Sequence, residues 1–196
     1  MTNPINEARE RVLDVAESLF MERGYTSVKL KHIADELGMK QASLYYHAPG
    51  GKEELFVAVM ARNFERQKLG IKKAIQSVGD NWEAQLRQAA YWILSQPPMN
   101  FTRMINSDMP AISPHHAQHL MDLSYQAIFY PLQQIFEAGH AAGLIHYRDI
   151  FVITGSFLGL ISDLVTYKEK FMQAPISLHE MADQLIDMVL NGLKPR

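Results

Sequence analysis

Cysteine is absent from these 196 residues, which excludes disulfides, thiolate metal sites and cysteine nucleophiles and is compatible with a cytoplasmic location. Long apolar runs are scarce. The longest, around Ile150–Val165, is interrupted by Thr154, Ser156, Ser162 and Asp163, and the first ten residues hold neither a basic nor an apolar leader region. Neither a signal peptide nor a membrane span is therefore expected. Neither sign of charge dominates: 19 Lys and Arg against 21 Asp and Glu leave a net charge of −2, so the global field does not attract nucleic acid. The phosphate-loop, dinucleotide-loop and nucleophile-elbow glycine patterns are missing, and with them any sequence support for catalysis. Strand-like alternation and internal repeats are missing too, so the fold class is all-α.

Helical periodicity fills the chain. A first helix, about residues 6–23, aligns Val12, Leu13, Ala16, Leu19 and Phe20 on one face and stops before Gly24. A second places Leu30, Ile33, Ala34 and Leu37 together and ends at Gly38, a left-handed cap position. A third is short, starts near Lys40 and carries Gln41, Ser43, Tyr45, Tyr46 and His47, side chains that bond base edges and phosphates. Lys52 opens a fourth, reaching the mid-70s, with Glu53 and Glu54 in its first turn. Further helices are expected at about 81–95, near Phe101–Ser107, from Pro114 to about Ala142 with a kink at Pro131, at Arg148–Met172 and at Ile176–Leu193.

Charge becomes informative locally. Between Arg23 and Lys52 five bases face two acids, a local +3, while Glu7, Glu10, Asp14, Glu17 and Glu22 collect on the first helix. One face can thus be basic on an acidic protein. A second basic cluster, Arg62, Arg66, Lys68, Lys72 and Lys73, reads either as a solvated helix face or as an addition to the DNA-attracting field.

The order G-Y, I-A, L-G-M, A-S-L-Y-Y-H and K-E-E-L across residues 24–55 resembles the N-terminal helix-turn-helix domain of the TetR family of transcriptional regulators. The likeness covers roughly residues 8–58. It implies a three-helix DNA-binding domain over 1–51 and a larger helical ligand-binding and dimerisation domain over 52–196. It also implies a ligand-responsive repressor that binds double-stranded DNA, as a homodimer on a palindromic operator, and is released by a small, largely apolar inducer. In this frame Gln41 and Tyr46 are assigned to base reading, and Lys29, Lys40, Ser43, Tyr45, His47 and Lys52 to the DNA backbone. His47 has a second reading as a packed turn histidine. Two departures stand out. Lys29 and Lys40 occupy N-cap positions where the family has Ser or Thr, and Ala48-Pro49-Gly50-Gly51 makes a longer turn than usual. A lysine cap forgoes about 0.5–2 kcal/mol in the free protein but neutralises phosphate in a complex.

The middle of the chain collects Trp92, Phe101, Met104, Ile105, Tyr125 and Phe129 around a Pro-broken connection. Such residues line adaptable pockets or fill an ordinary core. The resemblance implies an inducer cavity here, with Arg103, Asp108, His119 and Asp163 as polar candidates to orient the ligand. Gly155, Ser156 and Gly159 would let another helix approach closely, and Leu185 and Met188 lie on the last helix; these five residues mark a dimer interface. His115 with His119, or His116 with His119, shares a helix face at metal-ligand spacing, but without the general-base Glu of a zincin the cluster also reads as an exposed helix start. No metal or cofactor is assigned and no membrane partner is expected. The alternative function is a helical protein–protein interaction module with weak or no sequence-specific DNA binding.

Overall fold

The computed structural model describes residues 4–171 and 176–195, and no strand occurs among them. Helix α1 spans Pro4–Arg23, α2 Leu30–Glu36, α3 Gln41–His47, α4 Gly51–Gln76 and α5 Trp82–Ser95. After α6, Phe101–Arg103, the backbone widens into a π-helical turn, Met104–Asp108, and tightens to a 3-10 turn, Met109–Ala111. Then come α7, Pro114–Ser124, a second π turn, Tyr125–Phe129, and α8, Tyr130–Ala141. Helices α9, Ile150–Phe171, and α10, Leu178–Leu193, complete the chain. The expected helix end at Met172 lies outside the described residues. The kink expected at Pro131 is realised as a π turn directly upstream. Pro131 lacks an N–H and so sits in the first turn of the resumed helix.

Local chemistry sets most boundaries. Asn81 accepts the Ala84 N–H at 3.0 Å to start α5, and Ser177 with Glu180 forms a reciprocal capping box on α10. Gly38 and Gly143 end helices at φ 65° and 71°, where only glycine is unstrained.

The chain divides into two compact units that do not follow a boundary at residue 51. The first joins residues up to Phe64 with Asn100–Leu123; the second joins Glu65–Met99 with the residues from Ser124 on. In the first unit Val12, Ala16, Phe20, Ile33, Leu44, Phe56 and Val59 form the core. Phe20 and Phe56 meet edge to face at 5.2 Å, and Tyr25 joins them 4.9 Å from Phe56. On α4, Arg62 turns back to Glu10, Asp14 and Glu17 of α1 at 3.0, 2.8 and 2.6 Å. That residue of the second basic cluster is therefore neutralised locally.

In the second unit α5, α8, α9 and α10 pack on one another around Leu86, Leu132, Phe136, Phe157, Ile161 and Ile186. Arg87 of α5 reaches Asp183 at 2.7 Å and Asp187 on α10, and the Tyr91 hydroxyl donates to Asp183 at 2.5 Å. Burial, with Asp183 alongside, pushes the Tyr91 phenol up to about 12. Gly70 of α4 lies under the Trp92 ring, and Trp92 donates its indole N–H to Gln67 at 3.1 Å.

Candidate nucleic-acid interface and effector region

Helix α3 is seven residues long, and only Leu44 is buried along it, 1% exposed. That single anchor, with Ala48 beyond the helix, seats α3 on α1 and α2 and turns the rest outward. Gln41, Ser43, Tyr45 and Tyr46 all face solvent, Tyr46 to 70%. An exposed tyrosine pair and an exposed amide on a rigid helix offer hydrogen-bonding tips without any core function. His47 is half-buried in the last turn, its ring edge-on to Tyr46 at 5.3 Å.

Lys29 and Lys40 are the N-cap residues of α2 and α3, extended in backbone, exposed and without a side-chain cap hydrogen bond. Both cations therefore stand at the positive ends of the two helices. At α2 a partial remedy exists: His32, three residues on, accepts the Lys29 backbone N–H at its Nδ1, 3.2 Å away. The usual reciprocal half is impossible, because an ammonium has no acceptor.

Lys52 is placed differently from the expected phosphate contact. Its Nζ donates to the Tyr25 carbonyl at 2.9 Å and lies 3.9 Å above the Tyr25 ring. Burial lowers its pKa and the charge of Asp108 opposes that shift. The next residue, Glu53, accepts the Ser113 backbone N–H at 2.9 Å and meets His116 Nδ1 at 2.7 Å. Those contacts, the His116 bond first, hold the Glu53 carboxyl down at about 2.

The residues expected around the effector fall in both units. Phe101, Met104, Ile105 and His119 belong to the first, where Met104 is buried and Ile105 and His119 are exposed. Trp92, Tyr125, Phe129 and Asp163 belong to the second. There the Tyr125 hydroxyl donates to Gln133 Oε1 at 2.9 Å across the π turn, and Phe129 approaches Gly155. Asp163 is exposed on α9. Arg103 and Asp108 are committed elsewhere, to the end of α1 and to Tyr25. Among the described residues a solvent-open cavity of about 800 Å³ is lined by His140, Ile145, His146, Tyr147, Arg148 and Leu193, with none of the expected effector residues.

Three polar groups without an expected site role lie within the second unit. Gln133 Nε2, Thr154 Oγ1 and Ser162 Oγ are buried without a hydrogen-bond partner, each at a cost of about 1–3 kcal/mol. Reversing the Gln133 amide would only exchange which end is orphaned. Of the histidine cluster, His116 is taken by Glu53, and no group of three or more potential ligands converges among the described residues.

Helix α9 has two faces. Thr154, Phe157, Leu158, Ile161 and Leu164 are buried, while Val152, Ser156, Gly159, Leu160, Asp163 and Tyr167 form an exposed stripe at helical spacing. A Cβ on Gly159 would meet nothing within 4 Å, whereas one on Gly155 would touch Phe129 at 3.8 Å. On α10 Met188 is 63% exposed and Leu185 half-buried. By length and composition alone α9 could also cross a membrane, despite the polar residues that interrupt it.

The sequence profile of the bacterial regulatory proteins of the tetR family matches residues 12–59. The HTH-type transcriptional regulator LmrA of Bacillus subtilis is 40% identical over 65 residues, a segment spanning 32% of this chain and 35% of that protein. The chain thus matches about a third of this curated relative's length. Among solved structures, a tetR-family regulatory protein from Rhodococcus RHA1 superposes over the full length of both chains with a TM-score of 0.77 at 19% identity. AibR, solved in complex with isovaleryl coenzyme A and operator DNA, superposes over 92% of this chain and 96% of its own with a TM-score of 0.74 at 20% identity. At those identities the structures bear on fold alone, and they show the all-α architecture shared along the chain. Residues 12–59 therefore carry the N-terminal segment of the tetR family of bacterial regulatory proteins.

Proposed function

We propose that the chain is a DNA-binding transcriptional regulator whose α3 enters the major groove, with no catalytic activity of its own. The observation that carries this reading is α3 itself: one buried leucine, an outward set of Gln41, Ser43, Tyr45 and Tyr46, and unpaired lysine caps on both short helices. Gln41 and Tyr46 read bases, while Lys29, Lys40, Ser43, Tyr45 and the half-buried His47 hold phosphates. Lys52 serves the site indirectly, through Tyr25.

The working form in this reading is a homodimer on a palindromic operator. Its support is the exposed α9 stripe with Ser156 and Gly159, flanked by Leu185 and Met188 of α10, a face one chain leaves uncovered. The same face accounts for the apolar character of α9 without a membrane. Two copies of α3 would then address half-sites about 34–36 Å apart, or a multiple of that distance. Ligand-responsive repression is the mechanism we favour. The unpaired Gln133, Thr154 and Ser162 groups support an effector that brings at least one hydrogen-bonding group into an otherwise apolar setting. AibR carries an acyl coenzyme A together with operator DNA, a pairing of the same kind. Gln41→Ala tests the reading mode: it should change the preferred base at one operator position. A uniform loss over all sequences would contradict base reading.

A further inference from the structure

We propose that Arg103 and Asp108 are positioning residues of the DNA-reading surface, both held against the N-terminal helices by the π turn at Met104–Asp108. The proposal rests on the DNA-binding reading of α2 and α3.

Helix α1 ends at Arg23, where the Phe20 carbonyl still accepts the Gly24 N–H at 2.9 Å and the carbonyls after it lie past the end of the helical ladder. The Arg103 guanidinium brings side-chain donors to this end, reaching the carbonyls of Met21 at 2.6 Å and Glu22 at 3.2 Å and adding a second donor to that of Phe20 at 3.1 Å. A cation at the negative end of the helix also suits its dipole. The chain then turns at Gly24, φ 79°, and Tyr25 donates its backbone N–H to Asp108 Oδ1 at 2.9 Å. Asp108 is only 4% exposed, and its second oxygen faces Arg103 Nε at 3.5 Å. Gly24 is required twice over: by its positive φ, and because a Cβ would lie 2.9 Å from Arg103 Cδ and 3.1 Å from Asp108 Oδ1. The Tyr25 carbonyl receives Lys52 at the start of α4. Asp108 and Arg103 thus fix the link between α1 and α2, and through Tyr25 they fix Lys52 of α4. These are the elements that bracket α3.

The grip depends on the π turn. Arg103 and Asp108 are five residues apart, and at about 100° per residue an α-helix would direct them about 140° apart. The i to i+5 pattern of a π turn, seen in the Met109 N–H bonded to the Met104 carbonyl, brings both to one side. Removing one residue from the turn would restore α geometry and withdraw one of the two from the N-terminal helices.

The test uses an operator selected from random DNA by the full-length wild type. Affinity is measured for Asp108→Asn, Arg103→Gln, a deletion of Ser107 and the control Asp122→Ala, an exposed change on α7. All are assayed at a temperature where circular dichroism shows each variant folded. Asp108→Asn keeps the shape and an acceptor for Tyr25, so it decides the matter should the deletion fail to fold. The expected result is at least about a fivefold loss of affinity for the first three, with base preferences and salt slope unchanged because no DNA contact is removed. Asp122→Ala should bind like wild type. Wild-type affinity in folded Asp108→Asn and Arg103→Gln would overturn the proposal. If the wild type selects no sequence, the DNA-binding reading fails on its own. Hydrogen exchange then decides the positioning role: faster exchange of the Tyr25 amide and of α3 in Asp108→Asn supports it, and unchanged protection refutes it.

Discussion

Gly70→Ala would test the packing of the second unit at its tightest point. A Cβ at this position would stand 1.9 Å from Cε2 and Cζ2 of Trp92 and 2.6 Å from its Nε1. Carbon atoms in contact sit about 3.5–4.0 Å apart, so the ring or the helix must yield by about 2 Å. Overpacking of this kind costs about 1–3 kcal/mol. Displacing Trp92 also breaks its bond to the buried Gln67, a further loss of about 0.5–1.5 kcal/mol. Against this, alanine is better than glycine inside a helix by about 1 kcal/mol. The balance is a destabilisation of about 0.5–3.5 kcal/mol, which for a chain of this size lowers Tm by about 1–14 °C. Calorimetry at fixed protein concentration reads it directly. In a Trp92→Leu background the steric cost disappears, and Gly70→Ala should become neutral or stabilising. A Tm at or above wild type for the single substitution would refute the reasoning.

Other consequences are open to separate measurement. Lys29→Ser and Lys40→Ser should each reduce the salt slope of operator binding by about 0.9 while stabilising the free protein by up to about 2 kcal/mol through a restored cap; an unaltered slope would remove the phosphate contacts. Glu53 has its pKa depressed to about 2 by His116 and Ser113. Its contribution to stability is therefore full above the ordinary carboxylate pKa near 4.5 and lost as pH falls from there toward 2. Urea titrations should show Glu53→Gln destabilised at pH 6, with the gap to wild type closing at pH 2.5. Leu160→Asp with Met188→Asp should convert a dimer to monomers in analytical ultracentrifugation; an unchanged sedimentation coefficient would place the dimer contact elsewhere.

The sequence revealed what is periodic or capped and concealed what depends on register. The first five helices, the Gly38 stop and the lysine caps could all be read from spacing and turn chemistry, because each is a local property. The role of Lys52 could not. It follows from Tyr25, 27 residues away, coming within 2.9 Å. Arg103 and Asp108 read as ligand-orienting groups because they are polar residues beside an apolar, Pro-broken stretch, and nothing in the local sequence announces a π turn. Asp163 was grouped with the effector residues by its polarity in an apolar run, but along α9 it shares the exposed stripe of Ser156 and Gly159. Thr154 reads in sequence only as a break in an apolar run and Gln133 as an ordinary polar position, because an amide and a hydroxyl become informative only when seen buried without a partner.

In the proposed function α3 reads DNA as one of a symmetric pair. Selection of bound sequences from a random double-stranded pool, using the full-length protein, tests it most directly. The expected product is an inverted repeat with half-site centres about one helical turn or a multiple of it apart, bound with a Kd of about 10⁻⁸–10⁻¹¹ M and with steep salt dependence. Recovery of no common sequence, with weak binding indifferent to salt, would contradict it and favour a helical protein–protein interaction module instead.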